Sequence, residues 1–488
     1  MSDLKRFFKH SSIYAIGNLI NRLGAFLLLP VYTNYLTVSE YGILEIFYII
    51  SSVVSGFLAV GMAHATLRFY FDYKSQDDRN ASISTNYIGS FLVTLVGVLL
   101  ISIFTTQLST SVFSSEEYTL GIYLILVTLV LELSSQICLA YIRALEYSVF
   151  FVIISIVKLI IQVSVNSYLV IFEGAGITGI LIGNLITVFV GWLVLSVFTL
   201  KRCGFSFHFE KFKPVVKYCV PFLLSTIMSL ISVNADRFIL NYLVSLEALG
   251  LYALALKFSM IIEQLIGEPF NRSYGAFRYT VMDNDNAAKI QSVIVKYLLI
   301  ISVFFAIAMS FFVKDVLVFM SNESFWRAAD LVPIIMVAAV IKIVSYPLQT
   351  GILVAKKTGY LFYFTTIGAA VSAVGSYLLI SIIGLVGACI SLVVTQAVIM
   401  VITNYYSQKF FKVDYDYKRM LLLIMFSVLV FIPSMYLDDF STLSSILIKV
   451  LLLMLLLISV FYGAVLTKQE ISSVKEFLYK KLPSRSKT

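Results

Sequence analysis

Charge is what this chain has least of. Of its 488 residues only 13% are Asp, Glu, Lys or Arg, while 60% are apolar and the mean hydropathy is +0.94. Soluble chains run near ~25% charged and ~45–50% apolar, so a soluble enzyme, a nucleic-acid-binding module and a disordered chain are all disfavoured by composition. A polytopic membrane protein remains. Cysteine and histidine are also scarce. Cys138, Cys203, Cys219 and Cys389 are scattered, three of them in apolar runs, so neither a disulfide framework nor a metal-ligand spacing follows. His10, His64 and His208 lie far apart, which argues against metal catalysis. No metal and no cofactor are expected. Gly174, Gly176 and Gly179 spell G-x-G-x-x-G, but the strand and βαβ unit that a dinucleotide site needs are missing. Gly179 and Gly183 instead make a G-x-x-x-G step suited to close helix packing. The first apolar run is long and lacks a small-residue cleavage site, so no cleavable signal peptide is expected.

Long apolar runs are what the chain has in plenty. A helix needs about 20 apolar residues to cross the hydrocarbon core, and about fourteen such spans are predicted. They cover about residues 12–36, 42–65, 82–106, 120–142, 148–172, 176–200, 214–240, 247–270, 288–313, 331–353, 358–382, 384–407, 419–437 and 442–466. Each run is continuously apolar, whereas barrel strands alternate, so an all-α polytopic membrane protein is expected. Basic residues gather on alternate connections: Lys5, Arg6 and Lys9; Arg68, Lys74 and Arg79; Arg143; Lys201, Arg202, Lys211, Lys213 and Lys217; Arg272, Arg278 and Lys289; Lys356 and Lys357; Lys409, Lys412, Lys418 and Arg419; and the tail from Lys468. The opposite side has only Lys314 and Arg327, with acids such as Glu116, Glu117, Asp438 and Asp439. The positive-inside bias therefore predicts both termini in the cytoplasm.

Two stretches 208 residues apart read alike. NYLTVSEYG ending at Gly42 matches NYLVSLEALG ending at Gly250, and GITGILIG from Gly176 matches GLVGACIS from Gly384. Six spans separate the copies, and an even number preserves orientation. Parallel repeats related by a pseudo-two-fold along the membrane normal are predicted, with a site at their interface. The expected organisation is two pseudo-symmetric six-helix lobes, residues 1–213 and 214–415, followed by two C-terminal helices and a basic tail over residues 416–488. Gly17, Gly24 and Pro30 in span 1 and Pro221 in span 7 fall at corresponding ends of the two halves. Interrupted helices in corresponding positions point to a transporter site.

Five ionisable residues lie near span centres: Arg22, Glu132, Lys158, Lys257 and Lys342, a net +3. At about 2.5–3.5 kcal/mol each on insertion scales, they are expected to face protein or water. Glu132 and Lys342, 210 residues apart at nearly equivalent positions, form a candidate structural pair, and Lys158 is a second candidate partner for Glu132. Arg22, with Asn18 on the same helical face and Asn21 beside it, and Lys257 then remain as candidate contacts for an anionic substrate, with Lys158 and Lys342 as further candidates. Asp236, Arg237, Glu263 and Glu132 are candidates for coupling or gating.

LINRLGAFLLLPVYTNYLTVSEYGILEIF with GMAHATLRFYFDY, and DRFILNYLVSLEALGLYALALKF followed by EPF, resemble bacterial polysaccharide flippases, the Wzx-type transporters of O-antigen repeat units. Asp236, Arg237, Gly250 and Tyr252 fall on that family's D-R and G-x-Y pattern. The resemblance implies the two-lobed fold of the multidrug/oligosaccharidyl-lipid/polysaccharide exporter superfamily. It also implies transfer of an undecaprenyl-pyrophosphate-linked oligosaccharide from the cytoplasmic to the periplasmic leaflet of the inner membrane by alternating access. Such transporters are often ion-coupled, so a proton or sodium gradient is the candidate driving force. A polysaccharide polymerase and a chain-length regulator are the candidate protein partners, and no nucleic acid is expected. Two alternatives are weighed. A cationic-drug exporter would want mid-membrane acids, and only Glu132 is central. A membrane glycosyltransferase or polymerase would want a sizeable extracytoplasmic loop, and the longest expected one, over about residues 314–330, is under about twenty residues.

Overall fold

The computed structural model describes residues 13–14, 17, 20, 24, 26–58, 61–281, 286–434, 442–462 and 465. Among these the regular structure is helical throughout, as continuous apolar runs require when every backbone polar group has to be satisfied inside its own segment. Among the described residues ten helices are long and apolar enough to cross a membrane, and the bent pair Phe209–Pro221 and Ser225–Leu243 makes an eleventh span. These cover spans 2 to 13. The shorter apolar helix Ser444–Val460 lies in span 14, and Leu29–Tyr35 is the described end of span 1. The chain is therefore an all-α polytopic membrane protein, as composition predicts.

Two breaks are legible in the residues that cause them. The helix Phe209–Leu243 bends by 49° just after Pro221, where the proline ring removes a backbone donor. The segment Gly359–Phe410 is 52 residues long. A straight helix of that length would run about 78 Å, more than twice the hydrocarbon core. It turns at Ile383–Gly384 instead, where Gly384 has φ +58°, so it supplies both span 11 and span 12 with no loop between them.

The chain divides into two compact units, residues 1–251 with 320–325, and residues 252–319 with 326–488. Compactness thus places span 7 with the amino-terminal unit: the helix Phe209–Leu243 packs on Val38–Leu58, Met62–Asp72 and Gln76–Ser102.

The internal repeat is written into the backbone. Gly176 and Gly384, equivalent by the 208-residue offset, both have positive φ (+50° and +58°) and open spans 6 and 12. Spans 4 and 10 end alike. Glu146 and Lys356 have φ +57° and +58°, and each is bracketed by the same two bonds: Glu146 N–H to Arg143 C=O with Tyr147 N–H to Ile142 C=O, and Lys356 N–H to Leu353 C=O with Lys357 N–H to Ile352 C=O. This is the Schellman arrangement that satisfies terminal carbonyls, here with a non-glycine residue in the left-handed position.

Within the amino-terminal unit the two copies of the N-Y-L motif meet reciprocally. A Cβ on Gly42 would stand 2.1 Å from the Leu246 carbonyl oxygen, and a Cβ on Gly250 would stand 2.2 Å from that of Val38. Only glycine permits either approach. The asparagines of the motif behave alike. Asn34 donates to the Met320 carbonyl at 3.0 Å and Asn241 to that of Val112 at 3.3 Å, and Val112 and Met320 are again 208 apart. Such i-to-j and j-to-i contact is the signature of a two-fold relation between the motifs.

Candidate functional site

In the amino-terminal unit, span 7 carries Asp236 and Arg237 side by side. Arg237 Nη1 lies 2.6 Å from Glu45 Oε1 on span 2, with the arginine 8% and the glutamate 5% exposed. The Asp236 carboxylate accepts the Arg237 backbone N–H at 2.9 Å. Glu45 is a residue that sequence reasoning missed. It sits within ILEIFYII, near the outer end of span 2, and a search confined to span centres passes over it.

Spans 1, 2, 5 and 6 share a network of neutral polar groups. The Asn166 amide donates to the Tyr32 hydroxyl at 2.6 Å and to Asn184 Oδ1 at 3.2 Å; Gln162 donates to the same Asn184 oxygen at 3.4 Å, and Tyr48 also reaches Asn184. Glycines make room for it. A Cβ on Gly183 would fall 1.8 Å from Asn166 Oδ1, and one on Gly24 would fall 2.7 Å from Gln162 Oε1. The G-x-x-x-G step at Gly179 and Gly183 is thus a close-packing surface, as expected. Gly17, against Phe151 and Val152, continues the contact of span 1 with span 5. Asn18, Asn21 and Arg22 lie outside the described residues.

Lys158 on span 5 lays its aliphatic stem over Gly191 of span 6, where an added Cβ would be 3.0 Å from the lysine Cδ. The charge of Glu132 on span 4 acts on it.

The helix Leu246–Ile262 enters the carboxy-terminal unit at Tyr252 and passes there into a π-helical turn, Glu263–Gly267. Glu263 leads that turn. The Lys342 ammonium lies 2.7 Å from its Oε1 and 2.8 Å from its Oε2, and the Tyr346 hydroxyl donates to Oε1 at 2.7 Å. Lys342 and Tyr346 are four residues apart and so share a face of span 10. Gly267 lets that face approach, with Ile343 at 3.0 Å and Tyr346 at 3.3 Å from where its Cβ would be. Lys257, half-buried, stands earlier on the same span. Near the outer end of span 9, Asp315 takes Lys449 of span 14 at 2.6 Å. Neither was anticipated from sequence, because each lies off its span centre.

The mid-span charges find countercharges inside each unit. Lys342 is paired with Glu263 within its own unit, and Glu132 exerts its charge on Lys158 within its own. The surplus of mid-span cations shrinks accordingly, since Lys342 is met by Glu263 and Lys158 feels Glu132. The glycine triplet at Gly174, Gly176 and Gly179 forms the turn into span 6. The cavity beside it is lined by Glu40 and Glu117, a sign of charge that repels phosphate.

The sequence profile of a family described as polysaccharide biosynthesis protein matches residues 33–305, more than half of the chain. No curated protein matches the sequence. Among solved structures, the lipid II flippase MurJ in an inward closed conformation is similar with a TM-score of 0.73 at 15% identity, covering 92% of this chain and 98% of that one. An inward-facing multidrug resistance transporter of the MATE family, MOP superfamily, is similar with a TM-score of 0.61 at 15% identity, covering 81% and 97%. A MOP superfamily transporter from Pyrococcus furiosus, described as having a binding pocket of reverse polarity, gives 0.58 at 14% identity, covering 83% and 95%. At such identities the likeness establishes a shared fold.

Proposed function

The chain belongs to the polysaccharide biosynthesis protein family, and from that premise we propose that it is a flippase for a lipid-linked oligosaccharide. The cargo in this reading is an undecaprenyl-pyrophosphate-linked repeat unit of the O-antigen kind. It moves by alternating access from the cytoplasmic to the periplasmic leaflet of a bacterial inner membrane, with both termini of the transporter in the cytoplasm and no covalent step catalysed. Likeness in fold to a lipid II flippase supports a lipid-linked cargo.

The observation that carries the reading is Lys342. It sits in the middle of span 10, bound to Glu263, with its side chain still 43% exposed. An ammonium in hydrocarbon would cost about 2.5–3.5 kcal/mol on insertion scales, so the exposed face is assigned to water or to a polar cargo. Lys158, Lys257 and Arg22, with Asn18 and Asn21, are proposed as further contacts to the pyrophosphate. Glu263, Glu132, Asp236 and Arg237 are proposed to couple or gate. A carboxylate and a phosphate compete for one ammonium, so a proton or sodium ion taken up at Glu263 would release Lys342 to the cargo. The membrane potential acts in the same direction: an anion moving outward gains about 2.3 kcal/mol per charge per 100 mV when the interior is negative.

The test is a leaflet-resolved assay of lipid-linked oligosaccharide in cells lacking the protein. Build-up on the cytoplasmic face is expected. Unpolymerised units accumulating outside would instead identify a polymerase. Lys342→Gln is expected to reproduce the cytoplasmic build-up at normal protein levels, and normal export by that variant would remove the assignment of this cluster.

A further inference from the structure

Beyond its π-helical turn, span 8 continues as the helix Glu268–Val281, and the last turn of that helix carries Arg278. This residue is only 6% exposed, and its Nε and Nη1 are enclosed without a hydrogen-bond partner among the described residues. Its guanidinium lies over two phenol rings, 5.3 Å from the centroid of Tyr274 and 5.8 Å from that of Tyr279. Those faces attract the cation but do not accept its in-plane N–H groups. The Tyr274 hydroxyl is already engaged, by Gln291 and by Thr350 at 2.9 Å.

Two other buried cations are treated differently. Arg237 has Glu45 and Lys449 has Asp315. Buried polar groups are ordinarily matched, and a guanidinium cannot give up its proton to escape the cost. There is also space beside it: among the described residues, the nearest atom to a Cβ built on Gly275 is Arg278 Nη2 itself, at 3.7 Å. The side of the membrane matters too. Arg278 ends span 8 on the side that the basic connections, including Arg272 and Lys289, assign to the cytoplasm.

We propose that Arg278 anchors a binding site for a phosphate or pyrophosphate oxyanion carried on a lipid, at the inner end of span 8. Stacking on Tyr274 and Tyr279 holds the planar fork in place, and the fork donates to two phosphate oxygens at once, the geometry that favours arginine over lysine for this ligand. Two lipids carry the required chemistry, the pyrophosphate-linked cargo and an anionic phospholipid of the bilayer. Only assignment to the cargo rests on the flippase reading; the site itself does not.

The experiment is native mass spectrometry of the purified full-length protein titrated with undecaprenyl pyrophosphate, with cardiolipin and with phosphatidylcholine. Loss of two charge-assisted hydrogen bonds predicts binding about 100-fold or more weaker in Arg278→Gln, with Arg278→Lys in between. Phosphatidylcholine, whose phosphate is masked by its own cation, is expected to show no difference. A drop for undecaprenyl pyrophosphate alone identifies the cargo headgroup, and a drop for cardiolipin alone identifies a resident lipid and leaves the flippase reading to its own leaflet assay. Equal binding of both anionic lipids by wild type and Arg278→Gln overturns the site. Where Arg278→Gln fails to accumulate, Arg278→Lys decides: it keeps the charge and loses the fork, so undiminished binding of both lipids by it overturns the proposal as well.

Discussion

The buried pair between Glu45 and Arg237 gives the sharpest test of how this fold handles charge. Both side chains are nearly enclosed, 6% and 10% exposed for the glutamate and arginine respectively, and the contact is 2.6 Å. Removing one partner takes away the countercharge that lies 2.6 Å from the other buried ion, a loss of about 3–5 kcal/mol. Glu45→Leu and Arg237→Leu are each expected to destabilise the amino-terminal unit by that much. The double variant Glu45→Leu/Arg237→Leu removes both charges and leaves side chains that pack, so it should recover most of the loss, because buried pairs replaced by apolar residues are often neutral or better. The assay is thermal unfolding of the three variants and the parent in one detergent, read as a double-mutant cycle. Singles that each lose less than about 1 kcal/mol, the range of an exposed ion pair, would refute the burial argument. So would a double variant as unstable as the sum of the singles. The same double variant also addresses the proposed gating role: stable protein with failed export assigns the pair to transport, and normal export assigns it to packing alone.

Two further outcomes follow from close approaches. Gly42→Ala and Gly250→Ala should each force the paired N-Y-L motifs apart by about 1 Å, at about 1–3 kcal/mol for an overpacked contact, whereas Gly359→Ala, with open space around it, should be neutral; equal melting temperatures for all three would contradict the reciprocal packing. Gly183→Ala drives a methyl group onto Asn166 Oδ1 and is expected to lower both thermal stability and export, with unchanged export counting against any role for the Tyr32–Asn166–Asn184 network.

The chain's own order of residues was enough for the spans, the repeat and the helix breaks. A run of twenty apolar residues is a local property, and so is the need for glycine at Gly384 or the loss of a donor at Pro221. The repeat shows through because each half reuses one backbone path, down to left-handed residues at equivalent places. Even so, Glu146 and Lys356, which share that conformation, share no side-chain chemistry, and only their backbone reveals the match.

Partnership was decided in three dimensions. Whether Lys342 meets Glu263, whether Arg237 finds Glu45, and whether Asp315 finds Lys449 depend on which helix lies alongside and on the rotation of each about its axis. Successive residues of a helix turn by about 100°, so a shift of one or two positions, within the uncertainty of any span boundary, carries a side chain from one neighbour to another. Burial of Arg278 is of the same kind. Its sequence context reads as an interfacial cation, and only the tyrosines folded over it and the absence of a carboxylate among its described neighbours give it a different chemistry.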